Sequence, residues 1–449
     1  MQRSTNPETL SKALAARDLD GLRAILRSVP PGDSARLLAR LDRSEQRELW
    51  TLLPVDEAAQ LLQELSITQA ALCLHLLAPD RAAALIEHFP SNEQADLLSE
   101  LGDEAPAITA SLSAPTAQRV RYLSQYPADT AGGLMAAEYL VYPDHAEVSD
   151  VIEDLRARAR EYSRLHVQHA YVTDNLNRLV GVLRLRDLLL LDRNDSIQQA
   201  MVRDPLRVRL EASLDELLHF FDRYPFFGAP VVDSDNRLLG VVRRADVEEA
   251  TSDRADRRML LMSGVLRGDE SRSMPWISRV LRRAPWLFVS LLLSLLAASV
   301  IGLYQETLAA ALALAVFLPV ISGMGGNSGN QALAVSIREL SLGLVQPQEV
   351  VWVILKEASV GLTNGLSIGL TVALLCFAWQ GSFRLSVVVG AAISLNTLVA
   401  ACLGGIVPLL LKRWRLDPAL ASGPVLAAVN DLCGFLFALV LADLLLPRQ

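Results

Sequence analysis

One carboxylate stands inside the most apolar part of the sequence. Asp431, in AAVNDLCGF, lies twelve residues past Ala419 in an apolar stretch at 419–446. At a helical rise of about 1.5 Å per residue it would lie roughly 18 Å deep, in a hydrocarbon layer about 30 Å thick. A charge there costs about 2.5–3.5 kcal/mol and needs a partner. No Lys or Arg lies well inside an apolar stretch, so we expect a cation in a pathway. A neutral buried acid or a structural salt bridge is the alternative.

Small residues share a helix face with this acid. Ala427 and Gly423 lie four and eight residues before Asp431, and Gly434 and Ala438 lie three and seven residues after it. Small side chains at this spacing let backbones approach closely or leave room for a pore. The spacing alone leaves both interpretations open. A second stripe, for which we favour simple helix packing, comprises Gly361, Gly365 and Gly369.

A second stretch with functional side chains is PVISGMGGNSGNQA (319–332), which places glycines and amides inside another apolar segment. Irregular backbone at membrane depth is tolerated where it is buried in protein or lines water, so we expect irregular backbone and amides that face water or a second copy. Hard cations such as Mg²⁺ prefer oxygen ligands and shed water reluctantly. Two copies of Asp431 across a dimer axis could therefore hold one hydrated divalent ion. The residues expected to shape the path are Gly325, Gly326, Asn327, Gly329, Asn330 and Gln331.

The surrounding composition indicates a soluble acidic region followed by a membrane domain. Residues 1–284 hold 35 Lys/Arg and 43 Asp/Glu, whereas residues 285–449 hold 7 of each. Basic residues precede the first apolar span and follow the second and fourth, which predicts a cytoplasmic N-terminus and an outside C-terminus. The first ten residues lack the apolar core of a signal peptide. The five expected spans, each near the required 20 apolar residues, are about 285–304, 308–337, 351–379, 386–411 and 419–446.

Two kinds of repeat organise the soluble region. The amphipathic pieces LLARL, LLQEL and LLSEL cannot bury their apolar faces alone, which predicts a stacked, superhelical domain. Farther on, DNLNRLVGVLRLRDL (174–188) and DSDNRLLGVVRRADV (233–247) match at a spacing of 59. Each copy predicts two strands and a helix start, and the pair resembles tandem CBS domains, which commonly sense small ligands. The basic, helical sequence after Asp246 predicts a long connecting helix.

The membrane region is similar to the MgtE family of magnesium channels. LPVISGMGGNSGNQA, LDPALASGPVLAAVNDLCG and YPADTAGGLM carry the resemblance, which covers nearly the whole chain. It implies a multidomain α and α/β membrane protein with a homodimeric pore. The implied parts are a helical N-domain (1–127), a first CBS domain (128–194), a second CBS domain (195–252), a connecting plug helix (253–284) and a transmembrane domain of five helices (285–449).

The resemblance also implies the activity. The implied protein imports Mg²⁺ across the cell (inner) membrane down its electrochemical gradient, and cytoplasmic Mg²⁺ closes it. The selectivity aspartate of the family falls on Asp431, and neighbouring pore-lining positions fall on Ala427 and Gly423. Some members carry Asn where Gly423 stands, so the polar lining near the inner mouth is expected to be thinner here. Neither an enzymatic activity nor a nucleic-acid partner is expected, and passage of other divalent cations stays open.

Regulation is expected to depart from the family pattern. In the family, inhibitory Mg²⁺ ions bridge acidic residues of the N-domain, the CBS pair and the plug helix. The usual Glu-Asp pair of the plug falls here on Ser252 and Asp253, or on Arg257 and Arg258. An Arg cannot coordinate Mg²⁺ but can pair with a carboxylate, so we expect weaker or absent inhibition. The remaining candidate regulatory ligands are Glu93, Asp96, Asp246, Glu248, Glu249, Asp253 and Asp256.

Other hypotheses remain beside this one. An ion-coupled secondary transporter of divalent cations is the alternative, although such proteins often contain inverted repeats that the five spans do not show. An intramembrane hydrolase needs a nucleophile–base pair or metal ligands, yet all 6 histidines lie before residue 220. ATP is a further candidate ligand of the CBS pair, without a phosphate-binding motif to support it.

Overall fold

The chain folds into two compact units, Met1–Asp253 and Arg254–Gln449. A computed structural model describes residues 7–29, 37–38, 40–162, 168–265, 268, 270, 274–418 and 423–446.

Short α-helices make up the amino-terminal part, as the leucine repeats predict. Asp42 and Glu45 form a reciprocal capping box at one helix start, which satisfies N–H groups that the first turn leaves unpaired. Trp50 and many leucines bury their side chains in one shared core. The helices are α1 (Pro7–Ala15), α2 (Leu19–Ser28), α3 (Arg43–Leu52), α4 (Val55–Gln63), α5 (Ile67–Leu74), α6 (Pro79–Ile86), α7 (Ser91–Leu101), α8 (Ala105–Ser111) and α9 (Ala114–Leu123), with a 3₁₀ turn at Gly102–Glu104.

Two small α/β modules follow and repeat one topology. In each, a parallel strand pair leads into an antiparallel hairpin, and the register shifts after Val172 and after the matching Val231. The sheets have the orders β1-β2-β3-β4 and β5-β6-β7. The elements are α10 (Ala131–Leu134), β1 (Leu140–Pro143), α11 (Val148–Ala157), α12 (Ala159–Tyr162), β2 (His169–Thr173), β3 (Leu179–Arg184), 3₁₀ turns at Leu185–Leu190 and Ile197–Gln199, β4 (Val202–Arg203), β5 (Val208–Arg209), α13 (Leu214–Arg223), β6 (Gly228–Val232) and β7 (Leu238–Arg243).

The hairpin turns of the two modules hold each other through reciprocal hydrogen bonds. Asn177 and Asn236 both adopt left-handed backbone, with φ of 59° and 64°, which Asn tolerates better than most residues. The Asn236 Nδ2 donates to the Leu179 carbonyl at 2.9 Å, and the Asn177 Nδ2 donates to the Leu238 carbonyl at 3.3 Å. The sequence repeat therefore corresponds to a paired structural repeat.

Each module also forms β pairs with a segment that lies outside its sequence repeat. The strand β4 pairs with β3 of the first sheet, and Ala136 bridges Val241 of the second. Gly181 and Gly240 leave room for these segments. A Cβ added at Gly181 would collide with Met201, and one added at Gly240 would collide with Met135. The expected boundary between the two CBS domains stays a prediction.

The segment leading to the membrane region is two helices instead of the single long helix expected from the sequence. The helix α14 (Arg244–Met262) ends before Gly264 and Gly268, whose φ angles are 80° and 66°. Glycine adopts this left-handed region without steric penalty. The next helix starts only after Pro275, and residues 266–267, 269 and 271–273 lie outside the described part.

Five helices are long and apolar enough to cross a membrane, in agreement with the five expected spans. The first begins at Trp276, earlier than expected, and contains Pro285. Two short helices precede the second long one. The elements are α15 (Trp276–Leu303), α16 (Gln305–Ala310), α17 (Leu312–Ala315), α18 (Leu318–Ser341), α19 (Val350–Gln380), α20 (Phe383–Arg413) and α21 (Gly423–Leu445).

The glycine-rich stretch is a regular helix, so the expectation of irregular backbone there is wrong. The helix α18 runs without interruption through it, and the break lies upstream, where Ala311 has φ −128° and ψ 57°. Each interior glycine costs about 0.5–1 kcal/mol of helix stability, which close packing offsets. An added Cβ on Gly329 would lie 3.2 Å from the Ala400 carbonyl oxygen, and one on Gly404 would collide with the Gly329 carbonyl.

The stripe of Gly361, Gly365 and Gly369 packs α19 against α20, as the sequence interpretation favoured. An added Cβ on Gly365 would lie 2.7 Å from the Ser394 carbonyl oxygen. The Ser394 hydroxyl donates to the Gly365 carbonyl at 2.9 Å. Small residues thus bring the two backbones into contact, and α20 becomes the central support for α18 and α19.

Candidate functional site

The carboxylate of Asp431 meets a hydroxyl from a neighbouring helix. Ser322, in the second turn of α18, donates its Oγ hydrogen to Asp431 Oδ1. Asp431 is half-buried in α21, so part of its carboxylate stays accessible. A hydroxyl that donates to a carboxylate makes a charge-assisted hydrogen bond, and it leaves the second oxygen, Oδ2, for another ligand.

No basic side chain reaches this carboxylate within the described residues. The ion pairs found there all lie in other parts of the molecule, and Lys412 donates to the Leu340 carbonyl at 3.1 Å instead. A membrane-buried carboxylate without a basic partner needs water or a cation. The structural salt bridge considered from the sequence therefore has no support in this geometry.

The small residues around Asp431 divide between two environments. Ala427, one turn earlier, is half-buried like Asp431, and Gly423 is the first residue of α21. Gly434 and Ala438 are buried. An added Cβ on Gly434 would lie 2.8 Å from the Nδ2 of Asn396 in α20. The forward half of the stripe therefore serves helix packing, while the half at Ala427 remains accessible.

The amide stretch presents two opposite faces. Gly325 and Gly329 are buried against neighbouring helices, and Gly326 is half-buried. The three amide residues point away from this packed face and are exposed in the single chain. These are Asn327, Asn330 and Gln331.

Two asparagines that the sequence reasoning missed bind the part of α18 that contains Ser322. Asn396 of α20 is 0% exposed and Asn430 of α21 is 1% exposed. Their Nδ2 groups donate to the carbonyls of Ile321 and Ser322, at 3.0 Å and 2.8 Å. Both Oδ1 atoms are buried and have no hydrogen-bond partner among the described residues, at a cost of about 1–3 kcal/mol each. The sequence signal that could have identified them is the presence of an asparagine inside each of two apolar helices.

A second group of acids converges in the first unit. We call Glu93, Asp96, Asp246 and Glu249 the acidic cluster; the first two lie on α7 and the others on α14. Arg243, at the end of β7, enters this cluster. Its Nη2 lies 2.8 Å from Asp246 and 3.7 Å from Glu93, so one guanidinium joins the helical part to the second α/β module.

Burial and mutual repulsion perturb these acids. Burial raises the pKa of Glu93 to about 7, against the attraction of Arg243, and neighbouring acids add to the increase. Burial, with the charges of Asp246 and Glu249, raises the pKa of Asp96 to about 6. The pKa values of Asp246 and Glu249 are also raised, mainly by burial. Such carboxylates favour a cation, a proton or both.

The remaining regulatory candidates lie outside this cluster. Glu248 pairs with Arg244 at 2.8 Å. Asp253 and Asp256 are exposed on α14; the charge of Asp253 also raises the pKa of Glu249. Within the described part of the chain, no three acidic, His or Cys side chains are arranged as a ready metal site.

Comparison with known families matches three parts of the chain. Residues 318–441 match "MgtE: Divalent cation transporter". Residues 29–129 match the MgtE intracellular N domain, and residues 196–253 match the CBS domain.

Curated relatives cover most of the chain. The magnesium transporter MgtE of Thermus thermophilus is 32% identical over 364 residues, which is 79% of each chain. That of Bacillus subtilis is 31% identical over 327 residues, or 73% of this chain and 72% of the relative.

Two solved structures resemble the non-membrane part. The cytosolic domain of the Mg²⁺ channel MgtE in complex with ATP is 31% identical, with a TM-score of 0.50, and the match covers 55% of this chain and 100% of that one. The soluble part of a magnesium transporter shares the fold at 23% identity and a TM-score of 0.50, with 56% and 98% covered.

Proposed function

Because the chain belongs to the MgtE family of divalent cation transporters, we propose that it conducts Mg²⁺ across the cell membrane past Asp431. The observation that carries this proposal is the accessible, hydroxyl-bonded carboxylate of Asp431, which has no basic partner among the described residues. A half-buried anion in an apolar helix is stabilised when a cation passes it.

The chemistry of the site fits a hydrated ion. Mg²⁺ prefers oxygen ligands and keeps most of its water, so it usually binds through one or two carboxylates. Asp431 supplies one carboxylate, and Ala427 beside it leaves room for the water shell. We propose that Asp431, Ala427 and Gly423 line the pathway. Other hydrated divalent cations of similar size would compete for it.

The exposed amides favour a homodimer. Asn327, Asn330 and Gln331 are uncovered in the single chain, and polar groups in the hydrocarbon layer avoid lipid. A second copy would cover this face and bring a second Asp431 to the same axis. We propose that these amides, with Gly325, Gly326 and Gly329, shape the pore near that axis.

The chain is a multi-pass membrane protein of a transporter family, and we propose no enzymatic activity for it. We propose the cell inner membrane as its location, and the distribution of basic residues favours a cytoplasmic N-terminus and an outside C-terminus. An ion-coupled transporter is not favoured, because the family comparisons lead to magnesium transporters.

Regulation is proposed to act through the acidic cluster, with weakened inhibition by Mg²⁺. Arg243 already supplies a positive charge there, and a bound guanidinium lowers the attraction of the cluster for a second cation. Ligand roles for Glu93, Asp96, Asp246 and Glu249 are proposed on this ground. Glu248, Asp253 and Asp256 remain weaker candidates.

ATP binding at the CBS pair is a further proposal. Its support is the 31% identical cytosolic domain of a Mg²⁺ channel, which was solved with ATP. Calorimetric titration of the purified full chain with ATP should give saturable heat. Absence of heat at millimolar ATP would reject this part of the proposal.

The central test is Mg²⁺ uptake into lipid vesicles that contain the full chain. Asp431→Asn and Asp431→Ala should abolish uptake and leave dimer assembly intact, because both remove the charge at the pathway; Asp431→Asn in addition keeps the size of the side chain and an oxygen that can accept from Ser322. Asp443→Asn is the matched control, since it removes an acid from the same helix where the carboxylate accepts from Thr307. Wild-type uptake by an assembled Asp431 variant would refute the role of this residue.

A further inference from the structure

We propose that Asn396 and Asn430 form a carboxamide clamp that positions Ser322 and, through it, the carboxylate of Asp431. The clamp is defined as the two asparagine side chains and the α18 carbonyls to which they donate. This inference rests on the proposed role of Asp431 in Mg²⁺ passage. It assigns a positioning role to two residues that do not themselves touch the ion.

Both hydrogen bonds of the clamp run from a carboxamide to a backbone carbonyl of α18. Nδ2 of Asn396 donates to the Ile321 carbonyl and Nδ2 of Asn430 donates to the Ser322 carbonyl, at 3.0 Å and 2.8 Å. A carbonyl oxygen can only accept, so neither carboxamide can turn over without placing two oxygens together. Two adjacent carbonyls of one helix are therefore held by two different helices.

Glycines leave the space that the two carboxamides occupy. An added Cβ on Gly325 would collide with the carboxamides of both Asn396 and Asn430, and one on Gly434 would lie 2.8 Å from Asn396 Nδ2. The two asparagines thus occupy the volume that side chains on α18 and α21 would otherwise fill. Their Oδ1 atoms have no hydrogen-bond partner among the described residues. The arrangement therefore holds the carboxamides in place without satisfying all of their hydrogen-bonding groups.

Ser322 links the clamp to the carboxylate of Asp431. Ser322 takes part twice, because its carbonyl accepts from Asn430 while its hydroxyl donates to Asp431, the next residue in α21. These two bonds fix the serine relative to consecutive residues of one helix. Asn396 fixes the preceding residue, Ile321, to α20. The clamp therefore sets which oxygen of Asp431 is engaged and which faces the ion.

The consequence is a specific kinetic signature. A carboxylate that is free to rotate should hold the hydrated ion less well, while the pore itself remains open. Loss of the clamp should raise the KM for Mg²⁺ and change Vmax little. A residue needed only for folding would instead reduce the amount of assembled protein or lower Vmax.

The test measures initial Mg²⁺ uptake into vesicles against external Mg²⁺ concentration. We expect Ser322→Ala to raise KM about tenfold, the usual effect of losing a hydrogen bond to a charged group. Asn430→Leu and Asn396→Leu should raise KM by no more than this, because they act on Asp431 only by releasing Ser322 from its position. The double variant Asn430→Leu with Ser322→Ala should be no worse than the more severe single variant, because both changes act through one hydroxyl. Thr397→Val is the control, since it removes from α20, the helix of Asn396, a buried hydroxyl that has no hydrogen-bond partner in the described part of the chain.

A second variant disturbs the clamp from α18, the helix that carries the two accepting carbonyls. Gly325→Ala should displace both carboxamides and also raise KM. Gly302→Ala is its control, because a Cβ there meets no neighbouring atom within 4 Å. A wild-type KM in assembled Asn430→Leu or Gly325→Ala overturns the clamp, and so does loss of assembly in both, which would make the asparagines purely structural.

The same assay separates the clamp from the function on which it rests. If Asp431→Asn keeps uptake, the proposed function fails. If Asp431→Asn abolishes uptake while the clamp variants keep the wild-type KM, only the clamp is wrong.

Discussion

Arg243 makes a two-point contact with Asp246 and also reaches Glu93 on α7, at 3.7 Å. One side chain thereby joins two groups of acids that would otherwise repel each other. Close by, Glu138 accepts hydrogen bonds from Ser91 and Arg119. The helical part and the second α/β module are thus held together by contacts that need no metal ion.

This contact predicts the response to internal Mg²⁺. Arg243→Ala should strengthen inhibition of uptake by Mg²⁺ inside the vesicles, because the acidic cluster then lacks its own counter-charge. The wild-type chain should be inhibited weakly at millimolar internal Mg²⁺. Uptake measured over a series of internal Mg²⁺ concentrations checks both statements.

The matched control for this change is Arg244→Ala. Arg244 is the next residue and pairs with Glu248 instead of the cluster, so its loss should leave inhibition unchanged. Strong closure of the wild-type channel, or an Arg243→Ala curve identical to it, would contradict the prediction.

The raised pKa of Glu93 predicts a pH-dependent stability. Its folded-state pKa, about 7, exceeds the ordinary value of 4.5. Between pH 4.5 and pH 7 the folded protein therefore binds more protons at this group than the unfolded chain does. The contribution of Glu93 to stability should therefore be full at pH 4.5 and below, and it should be lost as pH rises through 7. After a discount for partial exposure, the loss is about 2 kcal/mol.

Thermal unfolding of a fragment that comprises the first unit, Met1–Asp253, in metal-free buffer measures this effect. Glu93→Gln should reduce the change between pH 4.5 and pH 7, because residue 93 no longer titrates, whereas Asp96, with a pKa raised to about 6, keeps its own share of the dependence. Glu57→Gln is the control: Glu57 pairs with Arg23 at 2.9 Å on another helix. An unaltered pH profile in Glu93→Gln would show that other groups cause the dependence.

The glycine stripe of α19 predicts a packing defect. Gly365→Val should destabilise the membrane domain by about 1–3 kcal/mol, because the new side chain meets the Ser394 backbone. Gly302→Val, in open surroundings, serves as the comparison. Melting of the purified protein in detergent measures the difference, and equal melting temperatures for the two variants would contradict close packing at Gly365.

Much of the architecture follows from local sequence. Five apolar spans, the leucine-rich helices and the repeated pair of α/β modules were predictable, because hydropathy and repeat spacing act over tens of residues. Asp431 was also identifiable, since a charge in an apolar segment is unusual wherever the segment packs. The glycines at 361, 365 and 369 predicted close packing for the same local reason.

Other features depended on contacts between distant residues. PVISGMGGNSGNQA predicted irregular backbone, yet it is a regular helix whose Gly325 admits Asn396 and Asn430. The meeting of Ser322 with Asp431 joins residues 109 positions apart. The single-helix interpretation of the connecting segment was likewise wrong, because two glycines with positive φ interrupt it.

The sequence by itself determined which segments are apolar, which are repeated and where one uncompensated charge lies, because these properties reside in residue types and their spacing. Only the tertiary structure decided which hydroxyl meets that charge and that Arg243 enters the acidic cluster. Those outcomes depend on the rotation and depth at which helices pack, and several side-chain arrangements are compatible with one hydropathy pattern.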